Sequence, residues 1–155
     1  MGSGFCKSEL LPKGNIMKKT TIIVLSCIAL LNVAAIFQSF NFVSTADFKQ
    51  WLEADKAMII VDIQDKTAFA SQHFPGSIET NAFPVKSEDE KKRIDPAVAQ
   101  FKKTGNDVVV VCPRGGGGAK RCYDYLKSQG IPEDKLYILK GGIDNWPHRE
   151  MLLSL

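Results

Sequence analysis

The apolar residues of this chain fall into short runs, separated by stretches in which apolar and polar residues recur at helical spacing. The β-branched runs predict strands and the stretches between them predict helices. The predicted strands cover residues 41–43, 58–62, 107–112 and 136–139, with a brief strand beginning at Ile78. The first predicted helix begins after Ser44, and others cover residues 65–72, 97–103 and 119–129. A further helix is predicted to begin at residue 87 or 88 and to end where Pro96 interrupts it. This alternation predicts an α/β fold with a mainly parallel central sheet and helices on both faces.

The first helix carries a start signal and an apolar face. Ser44 is placed to cap it, with Asp47 three residues on as in a capping box. Phe48, Trp51 and Leu52 follow at three- and four-residue spacing, which puts them on one helix face. That arrangement favours packing against a core over a binding surface.

The chain before residue 41 has the pattern of a targeting segment. A short positive region begins at Met17, and no charged residue occurs from Thr20 to Ala46. This order is typical of a secretory signal or a single membrane anchor. The residues before and including Ala35 suit signal-peptidase cleavage, and the apolar run is near the minimum spanning length, so cleavage is favoured. Either interpretation places the remaining chain in the periplasm or otherwise outside the cytoplasm.

These patterns divide the chain into four parts. Residues 1–16 form an upstream extension, 17–40 the signal or anchor, 41–149 the folded domain and 150–155 a C-terminal tail. With 155 residues, 45% of them hydrophobic, there is room for one domain with a sizeable core. The net charge of +3, without a basic stripe interleaved with aromatics, argues against nucleic-acid binding.

The segment with the clearest chemistry joins the valine-rich strand to the helix after it. Four glycines there let successive N–H groups turn inward around an anion, and the helix N-terminus adds its positive dipole end. A β-branched residue in place of Gly116 or Gly117 is expected to hinder any positive φ angle and to turn N–H groups away from the sulfur. The pattern predicts a reactive thiolate at Cys112 in an anion-binding loop of Pro113, Arg114, Gly115, Gly116, Gly117 and Gly118. The alternative is a buried cysteine before a plain linker, but a linker needs neither the strand nor the helix.

The other titratable residues offer this cysteine no obvious base. His73 lies in a predicted turn, where a structural role is expected, and His148 is expected to be exposed. The thiolate would then be stabilised by loop amides, the helix terminus and the cations Arg114 and Arg121. Lys120 is interpreted as an ordinary solvated residue. The spacing of cysteines and histidines suggests no metal site.

The four cysteines divide between the leader and the domain. Cys6 and Cys27 lie in the leader, and the apolar run continues past Cys27, which argues against a lipoprotein signal there. Cys112 and Cys122 remain in the domain, where an oxidising compartment would allow them to pair. The preferred interpretation makes Cys122 a small core residue on the buried face of its helix.

Four segments together resemble the rhodanese-like sulfurtransferases. They are similar to the family's opening strand and helix, its first signature, its active-site loop and its closing motif, and they lie at residues 42–52, 61–78, 112–118 and 137–146. They keep the family's order from about residue 41 to about residue 149. In the active-site loop, Gly118 takes the small-residue position that opens the helix. The likeness is greatest to exported single-domain rhodaneses of the phage-shock type.

The resemblance implies a three-layer α/β fold and a sulfurtransferase that needs no cofactor. Cys112 would take sulfane sulfur from thiosulfate, a polysulfide or a persulfide, and would pass it from a persulfide intermediate to a thiol or cyanide. The implied partners are a small sulfur-containing anion and a thiol acceptor, with membrane contact only through an uncleaved N-terminal segment. Asp62, in the first signature, and Arg121 are the residues expected to support the site.

Two positions depart from the family's pattern. Gln64 stands where an arginine commonly follows the first signature's aspartate, and Gly117 stands where a second arginine often ends the loop. The fold does not depend on these arginines, but the choice of substrate can. Arg114 is the cation that remains inside the loop, and we expect it to tune substrate choice rather than to enable the chemistry.

Two other functions compete with sulfur transfer. A cysteine phosphatase or an arsenate reductase on a related fold would carry an arginine after five intervening residues to clamp an oxyanion. Here that position is Gly118, which disfavours this function. A non-catalytic binding module is expected where a rhodanese-like domain has lost its cysteine, whereas Cys112 is present.

Overall fold

The computed structural model describes residues 39–155. The predicted leader as far as residue 38, its cleavage position, Cys6 and Cys27 lie outside this part of the chain. Within residues 39–155, no helix combines the length and apolar character needed to cross a bilayer.

Strands and helices alternate through the described part of the chain. The strands are β1 (Phe42–Val43), β2 (Met58–Asp62), β3 (Ile78–Glu79), β4 (Asp107–Val111) and β5 (Leu136–Leu139). The α-helices are α1 (Thr45–Glu53), α2 (Lys66–Ser71), α3 (Glu88–Lys92), α4 (Asp95–Thr104) and α5 (Gly117–Ser128). Two 3-10 turns, Glu133–Lys135 and Arg149–Met151, were not predicted.

The five strands form one parallel sheet in the order β1-β5-β4-β2-β3. Strand β4 is central, with Val109 opposite Ile60 of β2 on one side and Tyr137 of β5 on the other. Because both faces of such a strand are buried, its sequence is a continuous valine run rather than an alternating pattern.

Side chains of β4 alternate between two apolar layers. Val108 and Val110 belong to a core with residues of α4 and α5, including Val98 and Leu126. Val109 and Val111 belong to a second core that includes Phe48 of α1. Alternation along a strand sends successive side chains to opposite faces, so the sheet is covered on both sides. The predicted three-layer α/β architecture is confirmed.

The helix starts show where local signals determined the boundaries. The Ser44 hydroxyl accepts from the Asp47 amide at 3.0 Å, so the predicted cap of α1 is confirmed. Pro96 lies inside the first turn of α4 instead of before it. A proline is tolerated there because the first N–H groups of a helix have no intrahelical acceptor.

Candidate functional site

Cys112 directly follows the central strand, at the carboxyl edge of the sheet. From β4 the chain continues to β5 on one side, whereas from its neighbour β2 it continues to β3 on the other. In open parallel sheets, ligand crevices form where neighbouring strands lead away in opposite directions. The sheet topology therefore places Cys112 where an α/β protein builds a binding site.

The loop after Cys112 turns a backbone amide onto the sulfur. The Gly115 N–H donates to Cys112 Sγ at 3.0 Å, and the cysteine residue as a whole is only 2% exposed. Gly115 has a φ of +65°, whereas Gly116 has a φ of −95° and Gly117 already begins α5. The left-handed turn that brings an amide back to the sulfur therefore lies at Gly115, before Gly116 and Gly117.

A second glycine turn, after β5, supports the loop from below. The amides of Ile143 and Asp144 donate to the carbonyls of Cys112 and Pro113 at 3.0 and 2.9 Å. A Cβ on Gly142 would lie 2.3 Å from the Cys112 carbonyl oxygen, so only glycine permits this approach. This role of Gly142 was not predicted; the Gly141-Gly142 pair that follows the last strand was its only local signal.

A cavity of about 190 Å³ opens over the sulfur. It is lined by Cys112 and five other residues of the predicted loop, Pro113, Arg114, Gly116, Gly117 and Gly118, and by Phe83 and Arg121 from elsewhere in the chain. A Cβ on Gly118 would lie 2.9 Å from the Phe83 ring, so the ring packs directly against this glycine. Phe83 was missed by the sequence analysis because no local pattern marks it.

The two arginines at this cavity have different surroundings. Arg121 donates from Nε and Nη2 to the Pro84 carbonyl at 2.9 and 2.7 Å. Arg114 is exposed, and its guanidinium has no hydrogen bond or ion pair with any residue of the described range 39–155. Lys120 instead points its ammonium toward the Phe40 ring, 5.3 Å from the centroid.

Asp62 supports the strand end and does not line the cavity. Its two carboxylate oxygens accept from the backbone and side-chain amides of Gln64 at 2.9 and 3.0 Å. The Gln64 side chain also donates to the Gln72 carbonyl at 3.0 Å, so an uncharged side chain bonded to Asp62 occupies the position of the family's arginine. Burial raises the pKa of Asp62 to about 6, although the two hydrogen bonds from Gln64 oppose the rise.

Neither histidine lines the cavity. His73 is buried, its Nδ1 lies 2.9 Å from the Phe69 carbonyl oxygen, and its ring stacks on Phe69. Its backbone forms a two-bond bridge with Leu153. These contacts are structural, as expected. His148 is half-buried instead of exposed, and its Nδ1 lies 3.5 Å from Glu150.

The second cysteine of the domain is part of the core. Cys112 and Cys122 are both free, and Cys122 is buried in the cluster that covers one sheet face. Burial raises the pKa of the Cys122 thiol far above its usual range, with a further contribution from Cys112. Within residues 39–155 no group of three or more histidine, cysteine or acidic side chains is arranged to hold a metal ion.

Known proteins resemble this chain in sequence or in fold. The chain is 27% identical over 107 residues to the adenylyltransferase and sulfurtransferase MOCS3 of Drosophila grimshawi. This match covers 69% of the chain but only 22% of that longer protein. A rhodanese-like domain protein from Staphylococcus aureus superposes with a TM-score of 0.56 at 22% identity, over 75% of this chain and 99% of that one. The As-Sb reductase from Leishmania major superposes with a TM-score of 0.58 at 14% identity, over 75% and 86%.

The family model for the rhodanese-like domain matches residues 44–148. This range includes the sheet from β2 to β5, the loop around Cys112 and the glycine turn beneath it. Its architecture is the one that the solved rhodanese-like domains display. The chain therefore belongs to the rhodanese-like domain family.

Proposed function

We propose that this protein is a sulfurtransferase that carries sulfane sulfur on Cys112. The observation that supports this most directly is the sulfur at the base of a small cavity, with the Gly115 amide donating to it at 3.0 Å. A donor at that position stabilises a negative charge on the cysteine sulfur, and would stabilise it again on a persulfide.

The proposed reaction has two steps with a covalent intermediate. The Cys112 thiolate attacks the outer sulfur of thiosulfate, the S–S bond of thiosulfate breaks, and sulfite leaves with the bonding electrons. The enzyme then holds that sulfur as Cys–S–S⁻. Cyanide or a thiolate attacks the terminal sulfur, becomes thiocyanate or a new persulfide, and restores the Cys112 thiolate. The charges balance in each step, and neither step requires a cofactor.

An arsenate reductase or a cysteine phosphatase is the second candidate, since the Leishmania As-Sb reductase has a similar fold. Those reactions need an arginine at position 118 to clamp the oxyanion. The Phe83 ring already lies 2.9 Å from where a Cβ on Gly118 would be, so an arginine at this position would have to displace the ring. This contact favours sulfur transfer. A non-catalytic role is disfavoured because Cys112 is present and faces a cavity.

We also propose that the domain acts outside the cytoplasm. The support is in the sequence: the positive start at Met17, the uncharged run that follows and the small residues before Ala35. The partners would then be a small sulfur-containing anion and a thiol acceptor of that compartment. Cell fractionation with N-terminal sequencing tests this, and a cytoplasmic protein that retains residues 17–35 would refute it.

Intact mass of the purified protein after exposure to thiosulfate or polysulfide tests the proposed chemistry. We expect the mass of one added sulfur atom, mapped to Cys112 by peptide analysis and removed by cyanide. Cys112→Ser should abolish both loading and turnover while keeping the melting temperature. Cys122→Ser is the matched control and should still load. Wild-type turnover by Cys112→Ser would refute the proposal, and phosphate-ester hydrolysis without sulfur loading would favour the second candidate.

A further inference from the structure

We infer that Arg121 is the specificity-determining residue that selects sulfur donors bearing an oxyanion group. It does so from outside the loop, over the position where this chain has Gly117. The inference rests on the proposed sulfur transfer, and it adds the residue that would bind the oxygens of the donor.

The guanidinium of Arg121 occupies the space that a side chain at position 117 would fill. A Cβ on Gly117 would lie 3.2 Å from Arg121 Nη1 and 3.9 Å from its Cζ. The absence of a side chain at 117 therefore lets a cation from the next helical turn reach the wall of the cavity that contains Cys112. The positive charge that an arginine at position 117 would supply comes instead from Arg121 of α5.

This arginine is held in place by a segment far away in sequence. Its Nε and Nη2 both donate to the Pro84 carbonyl, which leaves Nη1 as the edge directed toward Gly117. Val85 next to it has a φ of +60° and is fully buried. A β-branched residue in that region is strained, and such strain persists only where surrounding packing imposes it. The segment that positions Arg121 is thus tightly determined.

Pre-orientation distinguishes Arg121 from Arg114. Arg114 is exposed and has no hydrogen-bond or ion-pair partner in the described residues, so ordering its side chain on a substrate costs conformational entropy. Arg121 has already lost that freedom through its two bonds to Pro84. A pre-oriented guanidinium also donates in a fixed plane, which suits the oxygens of a sulfonate-like group.

The two positions together define a donor. With the outer sulfur of thiosulfate at Cys112 Sγ, the three oxygens of its other end extend into the cavity wall formed by Arg121. A polysulfide is also an anion and is attracted by the charge of the guanidinium, but it has no oxygens to accept directed hydrogen bonds from it.

Steady-state kinetics with thiosulfate and with inorganic polysulfide test this assignment. Arg121→Ala should raise KM for thiosulfate roughly tenfold, the loss expected for one charge-assisted bond, with kcat changed far less. Its KM for polysulfide should rise less, because this anion loses charge attraction but no directed hydrogen bond to an oxygen. Arg121→Lys keeps the positive charge but not the planar pair of N–H donors, so its KM for thiosulfate should lie between those of the wild type and Arg121→Ala. Lys120→Ala removes the adjacent cation, which points to Phe40, and should match the wild type.

Gly117→Val tests the geometry without removing the arginine. Its side chain would displace the guanidinium, so we expect the same selective rise in KM for thiosulfate with an unchanged melting temperature. Wild-type KM values in both Arg121→Ala and Gly117→Val would overturn the inference. An equal loss with both donors would also overturn it, because it would indicate a merely structural arginine.

A binding measurement separates this inference from the proposed reaction. Sulfate, an unreactive oxyanion, should slow alkylation of Cys112 by iodoacetamide at constant ionic strength, and should not do so in Arg121→Ala. Failure of sulfate to protect the wild type would overturn the inference even if sulfur transfer occurs. Failure of the wild type to load sulfur from any donor, with protection intact, would overturn the proposed function instead.

Discussion

The proposed reactive group of this protein is one sulfur atom with a small number of directed contacts. Cys112 is almost fully buried, receives one hydrogen bond from the Gly115 amide and faces a cavity that suits a small anion. The charged residues around it differ in how firmly they are held, since Arg121 is bonded to Pro84 and Arg114 is exposed. At the scale of single residues, the proposed function therefore makes the cations at the rim of the cavity the residues that we expect to choose the substrate.

Replacing Arg114 tests the rim directly. Arg114→Ala should raise KM for thiosulfate several-fold. KM for a less charged donor should change less, because that donor loses less electrostatic attraction. The free energy of unfolding should stay within about 0.5 kcal/mol of the wild type, as for an exposed residue without partners. Kinetics with two donors and thermal melting measure both effects. Unchanged KM values would show that Arg114 stays in solvent.

At the scale of elements, the loop after β4 and the glycine turn after β5 are in direct contact through backbone hydrogen bonds. The loop before α5 bends at Gly115, where a Cβ would lie 2.9 Å from the Leu139 carbonyl oxygen of β5. The turn after β5 returns two amides to the loop carbonyls. The position of the sulfur thus depends on the ends of both β4 and β5.

We expect Gly115→Ala to lose more activity than stability. The new Cβ disfavours the φ of +65° and pushes the loop from Leu139, which turns the amide away from Cys112 Sγ. The value of kcat/KM should fall roughly tenfold or more, as for loss of a charge-stabilising donor.

Gly105→Ala is the matched control, since Gly105 has a φ of +66° with open space around it, at the end of α4. It should cost about 1 kcal/mol of unfolding free energy through backbone strain alone and leave turnover unchanged. If Gly115→Ala behaves like this control in both assays, the loop has only a structural role.

At the scale of the whole molecule, a parallel sheet between two apolar layers fixes the carboxyl edge on which the site is built. Backbone bonds also bring the end of the described chain back to the domain, from Leu153 to His73 and from Leu155 to Ala70. A carboxyl group is nevertheless buried near the sheet edge, at Asp62. Its ionisation links global stability to pH.

The stability contributed by Asp62 should decrease as the pH rises. Its pKa of about 6 in the folded state lies above the roughly 3.9 of an unfolded aspartate, so the folded state binds more protons between these values. From pH 4 to pH 7 this group should lower the free energy of unfolding by at most about 3 kcal/mol.

Denaturant unfolding of wild type and Asp62→Asn across this pH range measures the effect. The advantage of the wild type over the variant should be largest near pH 4 and smallest near pH 7. Asp55→Asn, at an exposed position, should show no such trend. A wild-type advantage that grows with pH would contradict the assignment.

The sequence alone predicted the five strands and the position of the central loop. Hydrophobic periodicity is local, so the strands 58–62 and 136–139 were predicted with the bounds that the structure has. The Ser44 cap was also predicted, because its contacts lie within one helical turn. Cys112 could be singled out because strand, glycines and helix are consecutive in the chain.

Only the tertiary structure decided how the site is completed. Arg121 bonds to Pro84 across 37 residues of sequence, and Phe83 packs on Gly118 across a similar distance. The left-handed turn at Gly115 lies so close to the Leu139 carbonyl of β5 that no side chain fits between them. Such contacts leave no periodic signal, because they depend on the directions that packing imposes on segments far apart in the chain. The sequence therefore singled out Cys112 and its loop, and the fold placed Arg121 in the cavity wall through its bonds to Pro84.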